Sequence, residues 1–422
     1  MDIKSNKGIE LWKVAKKIIP GGNGLLSKRP ERYAPEIWPT YYSKAKGCHI
    51  WDLEGRKYID MAQMGIGTCI LGYCNDEVDN FVKSKIDKGI NTTLNATEEV
   101  SLAKALIEID DFASSVKFAR TGGEAMSIAV RIARAYSGKD KIAFSGYHGW
   151  SDWYLATNIN GKNNLSGHLL PGLPPLGVPK GLEATVVPFK YNDSDDLLKV
   201  FSNNKDIGVI IFEGARYNLP SRKFLNTIEK VAKKNKIIVI IDEITSGWRC
   251  NLGGVYKNYG FDPDIVVYGK GLGNGYAISA ILGKKKIMDI AQDTFISSTF
   301  WTEGIGFAAG IKTIEILERD KVWKHLTAIG DMIGEGWLKK AKKHSLHLKV
   351  TDMKPLITMK LNYDELNNAI LTLFTQEMLK RGYLAAPSVY VSYSHDENIV
   401  KEYLKNVDDV FKLIKKFLDS GN

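Results

Sequence analysis

The sequence predicts an α/β protein: a large domain on a mostly parallel seven-stranded sheet, plus a smaller α+β domain built from both termini. Three observations carry that prediction. Seven short β-branched runs alternate with helical stretches between residues 116 and 282. Such alternation favours a parallel sheet covered on both faces. The two ends of the chain lack this rhythm, and the chain's 422 residues are enough for two or three domains. The expected division is residues 1–65 and 311–422 for the smaller domain and 66–310 for the larger.

Taken in order, the chain opens on an amphipathic helix, followed by a Gly/Pro-rich stretch, Pro20-Gly21-Gly22-Asn23-Gly24. A hairpin-like run covers Gly47–Tyr58. The seven runs are Val116–Phe118, Lys141–Ser145, Thr185–Phe189, Gly208–Phe212, Ile237–Ile241, Ile265–Tyr268 and Ile278–Leu282. After Pro220-Ser221, residues Phe224, Leu225, Ile228 and Val231 mark one face of a helix. Nine glycines and prolines punctuate residues 158–182, a length of loop that in compact domains is a lid, a binding loop or a surface insertion. Long helices follow residue 310, and the last carries Ile399, Tyr403, Val407, Val410, Ile414 and Phe417 on one face.

Composition removes several function classes. Lys+Arg 58 against Asp+Glu 48 gives a net charge of +10, but the lysines sit in small scattered clusters such as Lys284–Lys286. A nucleic-acid binder concentrates its charge in one stripe, so no nucleic-acid partner is expected. No run of about 18 apolar residues occurs, and the N-terminal segment lacks a signal-peptide core, so no membrane association is expected. Four cysteines (Cys48, Cys69, Cys74, Cys250) are too few and too scattered for a disulfide framework. Seven histidines show no ligand spacing, so no metal is expected. These readings point to a cytoplasmic enzyme.

Ligand sites in parallel sheets lie at the carboxyl ends of strands, and three features fall there. Arg120-Thr121-Gly122-Gly123-Glu124 joins a strand to a helix through two glycines. Free N–H groups at a helix start suit a phosphate, though a plain β–α turn looks the same. An apolar strand ends in Asp242-Glu243, which places an acid at the ligand edge or in a structural ion pair. Lys270 follows a buried strand inside a glycine-rich turn, Tyr268-Gly269-Lys270-Gly271-Leu272-Gly273. Held near apolar walls, a lysine becomes a nucleophilic amine; otherwise it grips a phosphate or carbonyl. Together the three supply what pyridoxal 5′-phosphate (PLP) needs, namely a phosphate anchor, an anion for the ring nitrogen and an amine for the aldehyde. Tyr147, in Tyr147-His148-Gly149-Trp150, adds an aromatic face, while His148 reads as structural.

On these residues the chain resembles the class III (subgroup II, fold type I) PLP-dependent aminotransferases, above all their glutamate-1-semialdehyde 2,1-aminomutase branch. The similarity runs from Ile19-Pro20-Gly21-Gly22 and Trp51–Asp60 to Ser392-Tyr393-Ser394-His395, and the block from Asp242 to Lys270 is its most specific part. The resemblance implies a fold type I architecture with Lys270 as Schiff-base lysine and proton shuttle, and Asp242 against the pyridine nitrogen. It places Thr121, Gly122 and Gly123 on the phosphate, Tyr147 and Ile244 on the two ring faces, and Glu213 and Asn218 in the Glu-Pro-x-x-Gly-Asn segment. It has Thr299 reaching the neighbouring subunit's phosphate, hence a homodimer with shared active sites. Substrate positions are Lys28 or Arg29 for a carboxylate and Trp153 and Trp301 as pocket walls.

Departures concentrate around the substrate. Gly214 replaces a proline, Thr302-Glu303-Gly304 replaces Gly-Asn-Pro, Pro387-Ser388-Val389-Tyr390 replaces Glu-Ala-Gly-Phe, and Met64 replaces a tryptophan. The expected activity is therefore amino transfer between an amino donor and a small, keto, aldehyde or sugar-like carbonyl acceptor. The alternative is an aminomutase-type isomerisation.

Overall fold

The computed structural model describes residues 7–161, 163–168 and 171–420. The chain divides into two compact units, residues 80–321 and residues 1–79 with 322–422. A cut at residue 310 would pass through an unbroken helix, Gly304–Asp320, which ends on Lys321 in the left-handed region at φ 49°.

The larger unit carries the seven-stranded sheet. Its strands are β1 (Ser115–Ala119), β2 (Lys141–Ser145), β3 (Val186–Pro188), β4 (Ile207–Glu213), β5 (Ile238–Asp242), β6 (Ile265–Tyr268) and β7 (Ser279–Gly283). They lie in the order β1-β7-β6-β5-β4-β2-β3. Five strands beside β7 run parallel to one another, and β7 alone is antiparallel to its neighbours β1 and β6. Every residue of β4, β5, β6 and β7 is buried. Continuous Val/Ile runs are what a sheet covered on both faces requires.

Two helices set the chemistry-bearing edge. Helix α1 (Gly122–Ser137) starts directly after β1 and packs Ala125, Ile128, Ala129 and Ile132 into the main core. Helix α2 (Arg222–Asn235) buries Phe224, Leu225, Ile228 and Val231, the face expected from their spacing, and Ser221 caps its start. Registers bring strand ends level: Glu213 at the end of β4 stands opposite Asp242 at the end of β5.

The long loop after residue 158 contains short turns and is pinned at several points. Asn158 accepts the Leu165 N–H at 3.1 Å and donates to the Leu173 carbonyl at 2.8 Å. His168 Nδ1 accepts the Gly146 N–H at 3.0 Å, so the loop is tied to the segment that carries Tyr147.

The smaller unit joins both ends of the chain in one sheet. Tyr42–Lys46, His49–Asp52 and Lys57–Met61 form antiparallel neighbours, and Tyr383–Ala385 adds to the last in parallel. Asp60 is fully engaged there, accepting three backbone N–H groups and the Tyr73 hydroxyl. The final helix, Glu397–Asp419, buries Val400, Tyr403, Val407, Val410 and Ile414. No helix among the described residues is long and apolar enough to cross a membrane.

Gly330, in the helix Val322–Lys343, packs against backbone: a Cβ there would lie 2.0 Å from the Lys354 carbonyl oxygen. Backbone cannot step aside as a side chain can. Gly330→Ala is therefore expected to cost about 1–3 kcal/mol, read as a lowered urea midpoint without a change in slope.

Candidate active site

The candidate site is assembled from the carboxyl ends of β2, β4 and β5, the turn after β6 and the start of α1. Asp242 is 3% exposed and has both oxygens engaged. Oδ1 accepts the Ile244 N–H at 3.0 Å, and Oδ2 accepts from His148 Nδ1 at 2.8 Å. His148 Nε2 meets the Ser145 carbonyl at 3.1 Å.

Glu213 holds the neighbouring segment in the same way. Its Oε2 accepts the Tyr147 N–H at 3.0 Å, and its Oε1 accepts from Arg216 Nε and Nη2 at 2.9 and 2.6 Å. The Arg216 guanidinium lies 5.4 Å from the centre of the Tyr147 ring. The Gly146 carbonyl takes the Tyr154 hydroxyl at 2.9 Å. Tyr147 is thus fixed through its backbone while its ring stays half-buried.

Lys270 opens a short 3₁₀ turn, Lys270–Gly273, with φ 41°. A non-glycine residue in the left-handed region is strained, and such strain persists only where the surroundings impose it. Lys270 Nζ donates to Thr245 Oγ1 at 2.7 Å. Burial pushes the amine down to about 8; the Arg216 charge adds to the fall, and Asp242 and Glu213 oppose it.

The turn into α1 forms a cradle. Thr121 and Glu124 close a reciprocal cap, with the Glu124 N–H on Thr121 Oγ1 and the Thr121 N–H on the Glu124 carboxylate at 2.8 Å. The hydroxyl of Thr121 also points at Glu124, 3.1 Å away. The N–H groups of Gly122 and Gly123 open the helix and have no partner one turn back. A Cβ at Gly122 would come within 2.9 Å of Ile244 Cδ1, and one at Gly123 within 3.0 Å of Trp150 Nε1. Ile244 thereby closes the gap between cradle and acid. An anion cradle, a buried carboxylate and a buried amine of lowered basicity are a donor set that fits PLP.

Some expected residues stand elsewhere. Asn218 is exposed in the turn after Glu213. Thr299 is exposed in the 3₁₀ turn Thr299–Thr302. Trp153 is 6% exposed and stacks on His148 at 6.3 Å, which makes it a packing residue for the dyad. Trp301 is partly buried against the main core. Lys28 and Arg29 belong to the other unit, where Lys28 is exposed and the Arg29 guanidinium abuts Gly21. Met64 is buried there with Cys48 and Cys69.

Sequence reading missed Thr245, Arg216 and Arg120, and took His148 as structural. Arg120 Nη2 donates to the Glu303 carbonyl at 2.5 Å, its guanidinium lies 4.9 Å from the Phe307 ring, and Glu303 caps the helix Gly304–Asp320. The altered Thr302-Glu303-Gly304 segment is therefore tied to the cradle. Gly214 likewise has a use: its N–H donates to the Asp242 carbonyl at 2.9 Å, which a proline could not do. A lone arginine beside the Glu213 motif was the one available signal for Arg216.

Residues 32–387 match the family model of class-III aminotransferases. The chain belongs to that family. Class-III aminotransferases are PLP-dependent transaminases and their relatives, so this chain is a PLP-dependent enzyme. It is 32% identical to the 3-aminobutyryl-CoA aminotransferase of Cloacimonas acidaminovorans, over 99% of this chain and 99% of that one. It is 30% identical to the glutamate-1-semialdehyde 2,1-aminomutase of Methanocaldococcus jannaschii, over 98% and 99%. The solved FumI protein of Sphingopyxis sp. MTA144, in its PLP internal aldimine form, superposes with a TM-score of 0.88 at 26% identity, covering 98% of this chain and 97% of that one.

In this class-III enzyme the lowered basicity of Lys270 has a measurable consequence. Without cofactor, the native state holds fewer protons than the unfolded chain wherever the amine is neutral in one and charged in the other. The resulting penalty is full below pH 8 and vanishes as pH rises to 10.5. Cofactor-free Lys270→Met should accordingly be more stable than the cofactor-free parent at pH 7, with the gap closing near pH 10.5. Urea titrations at both pH values test this, and an equal gap at both contradicts it.

Proposed function

We propose that the enzyme transfers an amino group between two molecules, an amino donor and a small, keto, aldehyde or sugar-like carbonyl acceptor. The observation that carries this is the buried Lys270 amine, held beside an intact acid pair at the carboxyl edge of the sheet. In this reading Lys270 would bind the cofactor aldehyde; once the substrate amine displaced it, the freed Nζ would carry the proton from the substrate carbon to the cofactor carbon two bonds away. Asp242, supported by His148, holds the ring nitrogen. Tyr147 and Ile244 hold the two ring faces, and Gly122 and Gly123, after Thr121, hold the phosphate. Glu213 fixes the backbone of Tyr147, and Asn218 lies in the same turn. Bound PLP supplies an electrophilic aldehyde and a ring that accepts the electron pair left when the substrate proton leaves.

The relative that acts on 3-aminobutyryl-CoA supports intermolecular transfer, and the aminomutase relatives support the alternative isomerisation. An isomerase must keep its intermediate in place through two half-reactions. The missing acid where Pro387-Ser388-Val389-Tyr390 replaces Glu-Ala-Gly-Phe, and a carboxylate anchor with only approximate counterparts in Lys28 or Arg29, favour release instead. The four cysteines are thiols, which suits a reducing, cytoplasmic setting.

Release of product predicts ping-pong kinetics. A competent donor alone should yield about one carbonyl product per site, with no acceptor present. Conversion of glutamate-1-semialdehyde to 5-aminolevulinate without donor would instead establish the isomerase.

The active form is a homodimer with shared sites. Phe295 is 87% exposed, Phe300 67% and Trp150 72%. Large exposed aromatics flanking Thr299 and standing over the cradle mark a surface for another protein. Thr299 from one subunit completes the partner's phosphate site. Loss of that donor in Thr299→Ala should cost about 1.5–3 kcal/mol of PLP binding, measured by equilibrium dialysis. A fully active monomer in light scattering excludes the shared site.

A further inference from the structure

The geometry points to Thr245 as the residue that positions the Lys270 amine for reaction, a role that rests on Lys270 carrying the cofactor as proposed above. Thr245 follows Ile244 in the turn after β5 and is 3% exposed. Its hydroxyl oxygen is the acceptor the structure gives Lys270 Nζ, at 2.7 Å. The charged groups around the amine, Arg216, Arg249, Asp242 and Glu213, act on it through their fields and with opposing signs. Burial sets most of its basicity and these charges adjust it, but none of them fixes its place. A lysine side chain has four rotatable methylenes, and the strained φ of 41° at its own backbone aims only the first of them.

Threonine suits this task for two reasons. A hydroxyl is uncharged, so it accepts an N–H from the neutral amine and, more strongly, from the ammonium. A carboxylate in its place would hold the amine as ammonium and raise its basicity. Branching at Cβ also stiffens χ1, so the hydroxyl stays where the backbone puts it. That backbone is itself anchored at both ends of the turn. The Thr245 carbonyl accepts Arg249 Nε at 2.8 Å, and the preceding Ile244 N–H is bound to Asp242. The turn that supports the acid at the ring nitrogen therefore also carries the support of the amine.

The test reads covalent capture rather than turnover. Cofactor-free protein is mixed with PLP across about pH 6–10, pulsed with borohydride and mapped for labelled Lys270 peptide. In the parent the expected midpoint of capture follows the lowered amine, at about 8. Thr245→Val removes a hydrogen bond that favours the ammonium, so its midpoint falls by about one unit. Its plateau rate at high pH falls about three- to tenfold, because the amine is no longer held. Thr245→Ser restores the midpoint and most of the plateau. Thr245→Ala, which has no side-chain acceptor, follows the valine variant and serves if that variant is unstable. A valine or alanine variant with the parent's midpoint and plateau overturns the role of Thr245 alone. Capture on a different lysine in the parent overturns the Lys270 assignment, and the role of Thr245 with it.

Discussion

Two carboxylates, Glu213 and Asp242, stand opposite each other on neighbouring parallel strands, and both are buried. Like charges side by side in a poorly solvated place would cost several kcal/mol unless each met its own counter-charge or donors. The site is organised around that requirement. His148 comes from the turn after β2 to Asp242, and Arg216 comes from the turn after β4 to Glu213. Because Glu213 also holds the Tyr147 N–H, charge pairing and placement of the aromatic ring are one arrangement.

Strand geometry explains why only one of two adjacent acids belongs to this edge. Successive residues of a strand point to opposite faces. Asp242 meets His148, while Glu243 turns the other way, to the Ser246 hydroxyl at 2.5 Å and the Tyr256 N–H at 3.3 Å. With no cation on it, burial raises Glu243 to about 8. Near neutral pH it is mostly a protonated hydrogen-bonding group. The Asp242–Glu243 pair thus divides into an acid paired with His148 at the sheet's edge and a neutral one turned away from it.

The cradle is joined to this edge from two sides. Ile244 fills the space beside Gly122, and the Arg120–Glu303 contacts bind the turn to the segment holding Thr299. The 158–182 loop adds a third attachment. Burial keeps His168 neutral, down at about 4, so its Nδ1 stays an acceptor for Gly146. A displacement of the loop therefore acts on the backbone that precedes Tyr147 and His148.

Much of this was legible in the sequence because the signals are local. Continuous Val/Ile runs located β2, β4, β5 and β6 to within a residue, since burial on both faces demands apolar residues at every position. Lys270 and Asp242 were legible because a charge ending such a run is anomalous wherever it folds. What only the tertiary structure decided is which distant group meets which. His148 and Asp242 are 94 positions apart, and Lys270 and Thr245 are 25 apart. Nothing in the spacing of a threonine or a histidine announces those partners. Hydrophobic periodicity is a short-range constraint on each element separately. The pairing of buried polar groups depends on how strand order and loop path bring separate elements to one edge, and that exists only in the folded chain.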